Sequence, residues 1–182
     1  GLQDAAYAAG GIGSPNAING LHEQYNGSSW SNSTAMNIDR STMGSVGTTT
    51  ASLVFGGYIP PSYAFASSSE EWNGSAWTSG GTLVTARVDI GGFGSQTDAI
   101  GFAGTTPPNS PSALAEGYDG TTFSTRPSMA QARTQFAPSG SYNSESDGMA
   151  VGGSNAGNPV YANTEEWSIE TTAANVKDFT TS

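Results

Sequence analysis

Arg87-Val88-Asp89-Ile90-Gly91-Gly92-Phe93-Gly94-Ser95-Gln96-Thr97-Asp98-Ala99-Ile100-Gly101-Phe102-Ala103-Gly104 is the stretch whose reading decides the fold. Val88–Phe93 reads as a short strand in which glycines admit close neighbouring backbones. Gly94–Thr97 reads as a turn, and Asp98–Ala103 as a second strand so apolar that both of its faces must be covered. Pro107, Pro108 and Pro111 then exclude helix. A third strand ends at Tyr118, Asp119-Gly120 reads as a two-residue hairpin turn, and a fourth strand carries Phe123.

The same order of markers recurs along the whole chain with a period of about 47 residues. Arg40, Arg87 and Arg133 are 47 and 46 positions apart, and Tyr25, Trp72, Tyr118 and Trp167 step by 47, 46 and 49. Gly10-Gly11, Gly56-Gly57, Ala103-Gly104 and Gly152-Gly153 keep that beat. Three chemically different markers in one fixed order indicate a single unit copied four times, in segments of about 1–39, 40–86, 87–132 and 133–182. Tyr25-Asn26-Gly27-Ser28-Ser29-Trp30 and Trp72-Asn73-Gly74-Ser75-Ala76-Trp77 are matching hairpins, whereas Trp167-Ser168-Ile169-Glu170 has lost the Asn-Gly, which predicts a looser turn. No stretch sustains a 3.6-residue apolar period, so almost no helix is expected.

Composition narrows the function classes. The chain has 182 residues, a formal charge of −10 and one lysine, Lys177. Such a surface repels phosphate backbones and disfavours nucleic-acid binding. No apolar run reaches the ~20 residues of a membrane helix. With no cysteine, disulfides, thiolate metal sites and a cysteine nucleophile are all excluded. Regular spacing of Trp, Tyr and Phe argues against disorder. An acidic, lysine-poor, Ser/Thr/Asn-rich chain suits an extracellular or virion-surface location.

Four antiparallel strands per unit is the signature of a β-propeller blade. The order of arginine, strand, glycine pair, variable loop, Glu-x-aromatic, turn and aromatic resembles the kelch repeat, also found in galactose-oxidase-like propellers. The Asn-Gly-Ser-x-Trp hairpins and Gly94-Ser95-Gln96-Thr97 look like the kelch-type arrays of marine bacteriophage structural proteins. The resemblance implies an all-β propeller with about four blades in this chain, forming one domain over 1–182. Galactose oxidase activity does not carry over, because its copper site needs histidines, tyrosines and a cross-linked cysteine, and His22 is the only histidine.

Aligning Gly1–Ala5 with Ser95–Ala99 places the start of the chain inside a blade, so the first blade lacks its inner strand. The segment Asn175–Thr181 is a candidate to supply it, and propellers hide open edges in this manner. The chain begins at Gly1 rather than Met, from which we expect it to be processed, truncated or one part of a longer propeller. Additional blades or further copies of the chain are the expected partners.

Arg40, Arg87 and Arg133 each lead into an inner strand. They would either ring the channel mouth as carboxylate ligands or hold the blades together through Glu23, Glu70, Glu116 and Glu165 and backbone carbonyls. Copying into every blade favours the structural role. Glu70-Glu71 and Glu165-Glu166 cannot act as catalytic pairs, since adjacent strand residues point to opposite faces. Asn143-x-Glu145-x-Asp147-Gly148 alternates oxygen ligands like a calcium loop but has Ser154 where the bidentate glutamate belongs, so it reads as a turn. Neither a metal nor a cofactor is expected. Asn26, Asn32 and Asn73 are glycosylation sequons at about chance frequency.

Loops that differ between units are the better functional candidates. Tyr58, Tyr63, Phe65 and Tyr161 stand out there as aromatics suited to sugar stacking, to anchoring a protein partner, or to capping the gap between blades. The sequence reading is a non-enzymatic extracellular or virion module that attaches to host-surface glycans or proteins. A self-assembling protomer of a fibre or shell, and a carbohydrate-active enzyme, are the alternatives.

Overall fold

The computed structural model of the protein describes residues 4–141, 146–155, 160–169 and 177–181, and no helix occurs among them. In chain order the strands are β1 (Ala6–Gly13), β2 (Ala17–Tyr25), β3 (Trp30–Ser33), β4 (Gly44–Gly47), β5 (Ser52–Phe55), β6 (Tyr58–Ile59), β7 (Ala64–Phe65), β8 (Ser69–Trp72), β9 (Trp77–Ser79) and β10 (Gly91–Gly94). There follow β11 (Ala99–Phe102), β12 (Thr105–Thr106), β13 (Ser110–Pro111), β14 (Ala115–Tyr118), β15 (Phe123–Arg126), β16 (Ala137–Gly140), β17 (Asp147–Val151), β18 (Thr164–Ile169) and β19 (Lys177–Thr181). They form a three-stranded sheet, β1-β2-β3, and three four-stranded sheets, β4-β5-β8-β9, β10-β11-β14-β15 and β16-β17-β18-β19. Every pairing is antiparallel.

The sheets pack face to face in chain order, which is why β5 and β11, covered on both sides, are buried throughout, whereas β17 alternates buried and exposed residues. From the second sheet, Leu53 and Phe55 meet Ala99, Tyr118 and Phe123 of the third. Ile100 and Phe102 meet Ala150 and Trp167 of the fourth. Toward the first sheet, Val54, Trp72 and Trp77 pack with Ala9. Each fully buried side chain of this size contributes about 1.5–3 kcal/mol. Close approach depends on glycine: a Cβ on Gly101 would lie 2.7 Å from the Phe55 ring.

Four local expectations need correction. Strand β10 begins at Gly91, not at Val88, because Asp89 has a φ of 51° that breaks the extended run; Val88 forms only an isolated bridge to Thr105. The Asn-Gly and Asp-Gly turns are four-residue loops, since Trp72 pairs with Trp77 and Tyr118 with Phe123. In the third sheet the Asp119 carboxylate accepts the Thr121 and Thr122 N–H groups at 2.9 and 2.8 Å, so the side chain, not a mirror-image backbone turn, closes the loop. The proline loops are themselves hairpins, β6-β7 and β12-β13, and in the first unit β1 and β2 run on past a bulge to make the equivalent, Gly13 opposite Ala17.

The fourth correction concerns the end of the chain. Residues 177–181 form a strand, but it pairs with β18 as the outer strand of the fourth sheet rather than lying beside β1. Its register sets Phe179 opposite Trp167, the position that Trp77 and Phe123 occupy in the second and third sheets. The long connection, in place of Asn-Gly, hid this hairpin from sequence reading. Among the described residues, β1 pairs only with β2.

Candidate functional site

The three repeated arginines are wholly buried and do not line a channel mouth. Arg87 Nη1 donates to the carbonyls of Ala103 and Leu114 at 3.1 and 2.8 Å, and Nη2 to Glu116 Oε1 at 2.9 Å. Arg40 does the same with Gly56, Ser68 and Glu70, and Arg133 with Gly152, Asn163 and Glu165. Each glutamate also accepts backbone N–H groups from the segment arriving from the preceding sheet: Asn37 and Ile38 on Glu70, Val84 and Thr85 on Glu116, Ala130 on Glu165. Burial lowers the pKa of Arg40 and Arg87, while the facing carboxylate raises it back toward its usual range. Among the described residues Glu23 has no such arginine, and its side chain is exposed.

The doubled acids point to opposite faces, as strand geometry requires. Glu70 pairs with Arg40, while Glu71 accepts a hydrogen bond from the Tyr118 hydroxyl of the next sheet. Burial and that carboxylate push the Tyr118 pKa up to about 12. His22 is buried edge-on to Trp72 and Trp77, at ring distances of 4.6 and 5.3 Å. Its Nδ1 lies 3.3 Å from the Thr34 carbonyl and its Nε2 has no partner among the described residues. Asn143 and Glu145 of the acidic turn lie outside the described residues.

The loop aromatics divide into two roles. Tyr58, Tyr63 and Phe65 form one cluster on the β6-β7 hairpin, with Tyr58 edge-on to both partners at 6.1 and 5.1 Å. Tyr63 is 47% exposed, and its hydroxyl donates to the Asn16 carbonyl on the neighbouring hairpin at 3.2 Å. Tyr161 instead covers the buried Arg133, whose Cζ is 5.4 Å from the ring centroid. The hairpin tips have features in common as well: Asn16, Tyr63 and Asn109 all have positive φ, Asn16 and Asn109 directly after the cis-prolines Pro15 and Pro108, and Tyr63 two residues after the cis-proline Pro61. Prolines and polar side chains at all three tips are exposed.

One cavity, about 410 Å³, lies against the fourth sheet, with Asp147, Met149, Glu166 and Trp167 among its lining. Another, about 380 Å³, is bordered by strands from all four sheets, through Tyr7, Ser45, Gly92 and Ser139 among others. Neither a carboxylate nor a histidine lines it. A third, about 220 Å³, lies where the arginine-led segments turn into the inner strands of three successive sheets, between Thr42, Asp89 and Gln135. Sequence reading missed these three residues. The signal was present: each stands two positions after a repeated arginine, and the residue type changes from copy to copy.

No family model matches the chain, and no curated protein matches it. Among solved structures the chain is similar to that of YjhT, with a TM-score of 0.73 and 11% sequence identity. The match covers 92% of this chain and 53% of YjhT, so the chain spans about half the length of that structure. At this identity the likeness concerns the fold alone.

Proposed function

We propose that the chain is a kelch-like β-propeller module of about four blades, each of the four sheets being one blade, and that it serves as a non-enzymatic attachment element of an extracellular or virion structure. The observation that carries this reading is the row of hairpin tips. Tyr63 is buttressed by Tyr58 and Phe65 and tied to the adjacent tip through Asn16, so an exposed aromatic face is held rigid on a scaffold fixed by buried ion pairs. A rigid aromatic beside Ser and Asn side chains suits stacking on a sugar ring or anchoring a protein loop. Replacing Tyr63 by Ser tests this: binding to host-surface glycans or proteins falls at least tenfold while the melting temperature is kept, whereas unchanged binding removes the tips from the site.

A second reading, assembly with further blades or further copies, draws on the outward faces of the first and fourth sheets. Met149 and Val151 are 38% and 40% exposed, although their counterparts Leu53, Phe55, Ile100 and Phe102 are fully buried against the next sheet. Trp30 is 51% exposed, while Trp77 and Phe123 in its place are buried. Apolar faces of this kind mark contact surfaces. Sedimentation of the chain beside its Val151→Lys variant tests the reading: loss of larger species supports it, and identical monomeric profiles oppose it.

A further inference from the structure

We propose that the cavity between Thr42, Asp89 and Gln135 is a binding site for a single neutral sugar ring, separate from the aromatic tip at Tyr63. The backbone at these positions gives the first reason. Their φ angles are 52°, 51° and 52°, a region that costs residues other than glycine roughly 1–2 kcal/mol. This chain uses glycine at many other positive-φ sites, yet here it keeps three different polar side chains at one cavity. The repeated scaffold needs the turn but not these side chains, and side chains retained against backbone strain mark functional positions.

Their hydrogen bonding gives the second. Asp89 Oδ2 accepts from the Thr134 hydroxyl at 3.3 Å, and that hydroxyl accepts from Thr105 at 3.0 Å. The other carboxylate oxygen has no side-chain partner among the described residues, and the Thr42 and Gln135 side chains are exposed and open to a ligand. Burial raises the Asp89 pKa, consistent with a carboxylate that is short of donors. One acceptor-only group, one amide and one hydroxyl match the alternating donors and acceptors of a sugar's hydroxyls. Met43, Ile90 and Phe136 line the remaining wall and suit the C–H face of the ring. Asp89 disfavours anions, and a lone carboxylate falls short of the six to eight oxygens that calcium takes. A volume of about 220 Å³ lies below that of drug-sized pockets, which limits the ligand to one ring.

The ligand class is shared with the attachment reading, but the site is not, and the experiment separates them. Amide NMR spectra of the chain are titrated with methyl glucoside, methyl galactoside and N-acetylglucosamine at millimolar concentration. At least one sugar is expected to shift the Thr42, Asp89 and Gln135 signals, with an affinity reduced about tenfold in Asp89→Asn and in Gln135→Ala, both still folded by their dispersed spectra, and unchanged in Tyr63→Ser. Absence of shifts at these residues with all three sugars overturns the site. So does an Asp89→Asn variant that binds as the parent does. Shifts confined to the β6-β7 hairpin keep the attachment reading and discard this one.

Discussion

The guanidinium of Arg87 and the carboxylate of Glu116 meet 2.9 Å apart with both side chains essentially buried, and the same arrangement occurs at Arg40–Glu70 and Arg133–Glu165. Arg87 also takes two carbonyls of its own sheet, and Glu116 takes the N–H groups of Val84 and Thr85. The pair therefore fastens the segment that arrives from the preceding sheet. Lysine keeps the charge but lacks the planar fork, leaving carbonyls and carboxylate unmatched in a dry site. Arg87→Lys is expected to cost about 3–5 kcal/mol, read from urea denaturation. A loss under 1 kcal/mol would remove the pair from the account of stability.

The carbonyl of Arg87 accepts the Gly57 N–H at 2.8 Å across the junction of the second and third sheets. Gly57 has a φ of 90°, and a Cβ there would sit 2.5 Å from the Ser41 carbonyl oxygen. Gly57→Ala is therefore expected to destabilise the chain by more than about 2 kcal/mol, measured by thermal unfolding. At Gly11, where a Cβ would meet nothing within 4 Å, alanine adds only the backbone cost.

His22 sets the expected pH dependence. Burial among Tyr7, Trp72 and Trp77 lowers its pKa in the folded state, so the unfolded chain binds the proton more readily. Its contribution is complete above the unfolded value of about 6.5 and is lost as pH falls below it. Urea midpoints at pH 7.5 and 5.5 are expected to show a drop in the parent chain that shrinks in His22→Gln. Equal drops in both proteins would contradict this assignment.

Most of the fold was legible because its markers are obligatory. The arginines, the glycine pairs and the closing aromatics each fill a place that the packing of sheets makes unique, so their spacing revealed the four sheets. The outer strand 177–181 was misplaced because its pairing depends on register across a long connection, and neither propensity nor a turn motif encodes that register. The four-residue turns were misread because an Asx side chain and a mirror-image backbone turn share the same dipeptides. Among site residues, Tyr63 was readable as an aromatic in a variable loop. The roles of Tyr161 as a cover for Arg133 and of Asp89 at a cavity depend on distances between units, which one chain read linearly does not display.

We propose that the exposed hairpin row binds host-surface molecules without chemistry. Immobilised glycans and surface proteins from the host, probed with the chain while the solution is analysed for released sugar, test it most directly. The account predicts saturable binding to a glycan or protein, no released product, and loss of binding in Tyr63→Ser. Absence of binding to every surface component, or sugar release in step with added protein, would contradict it.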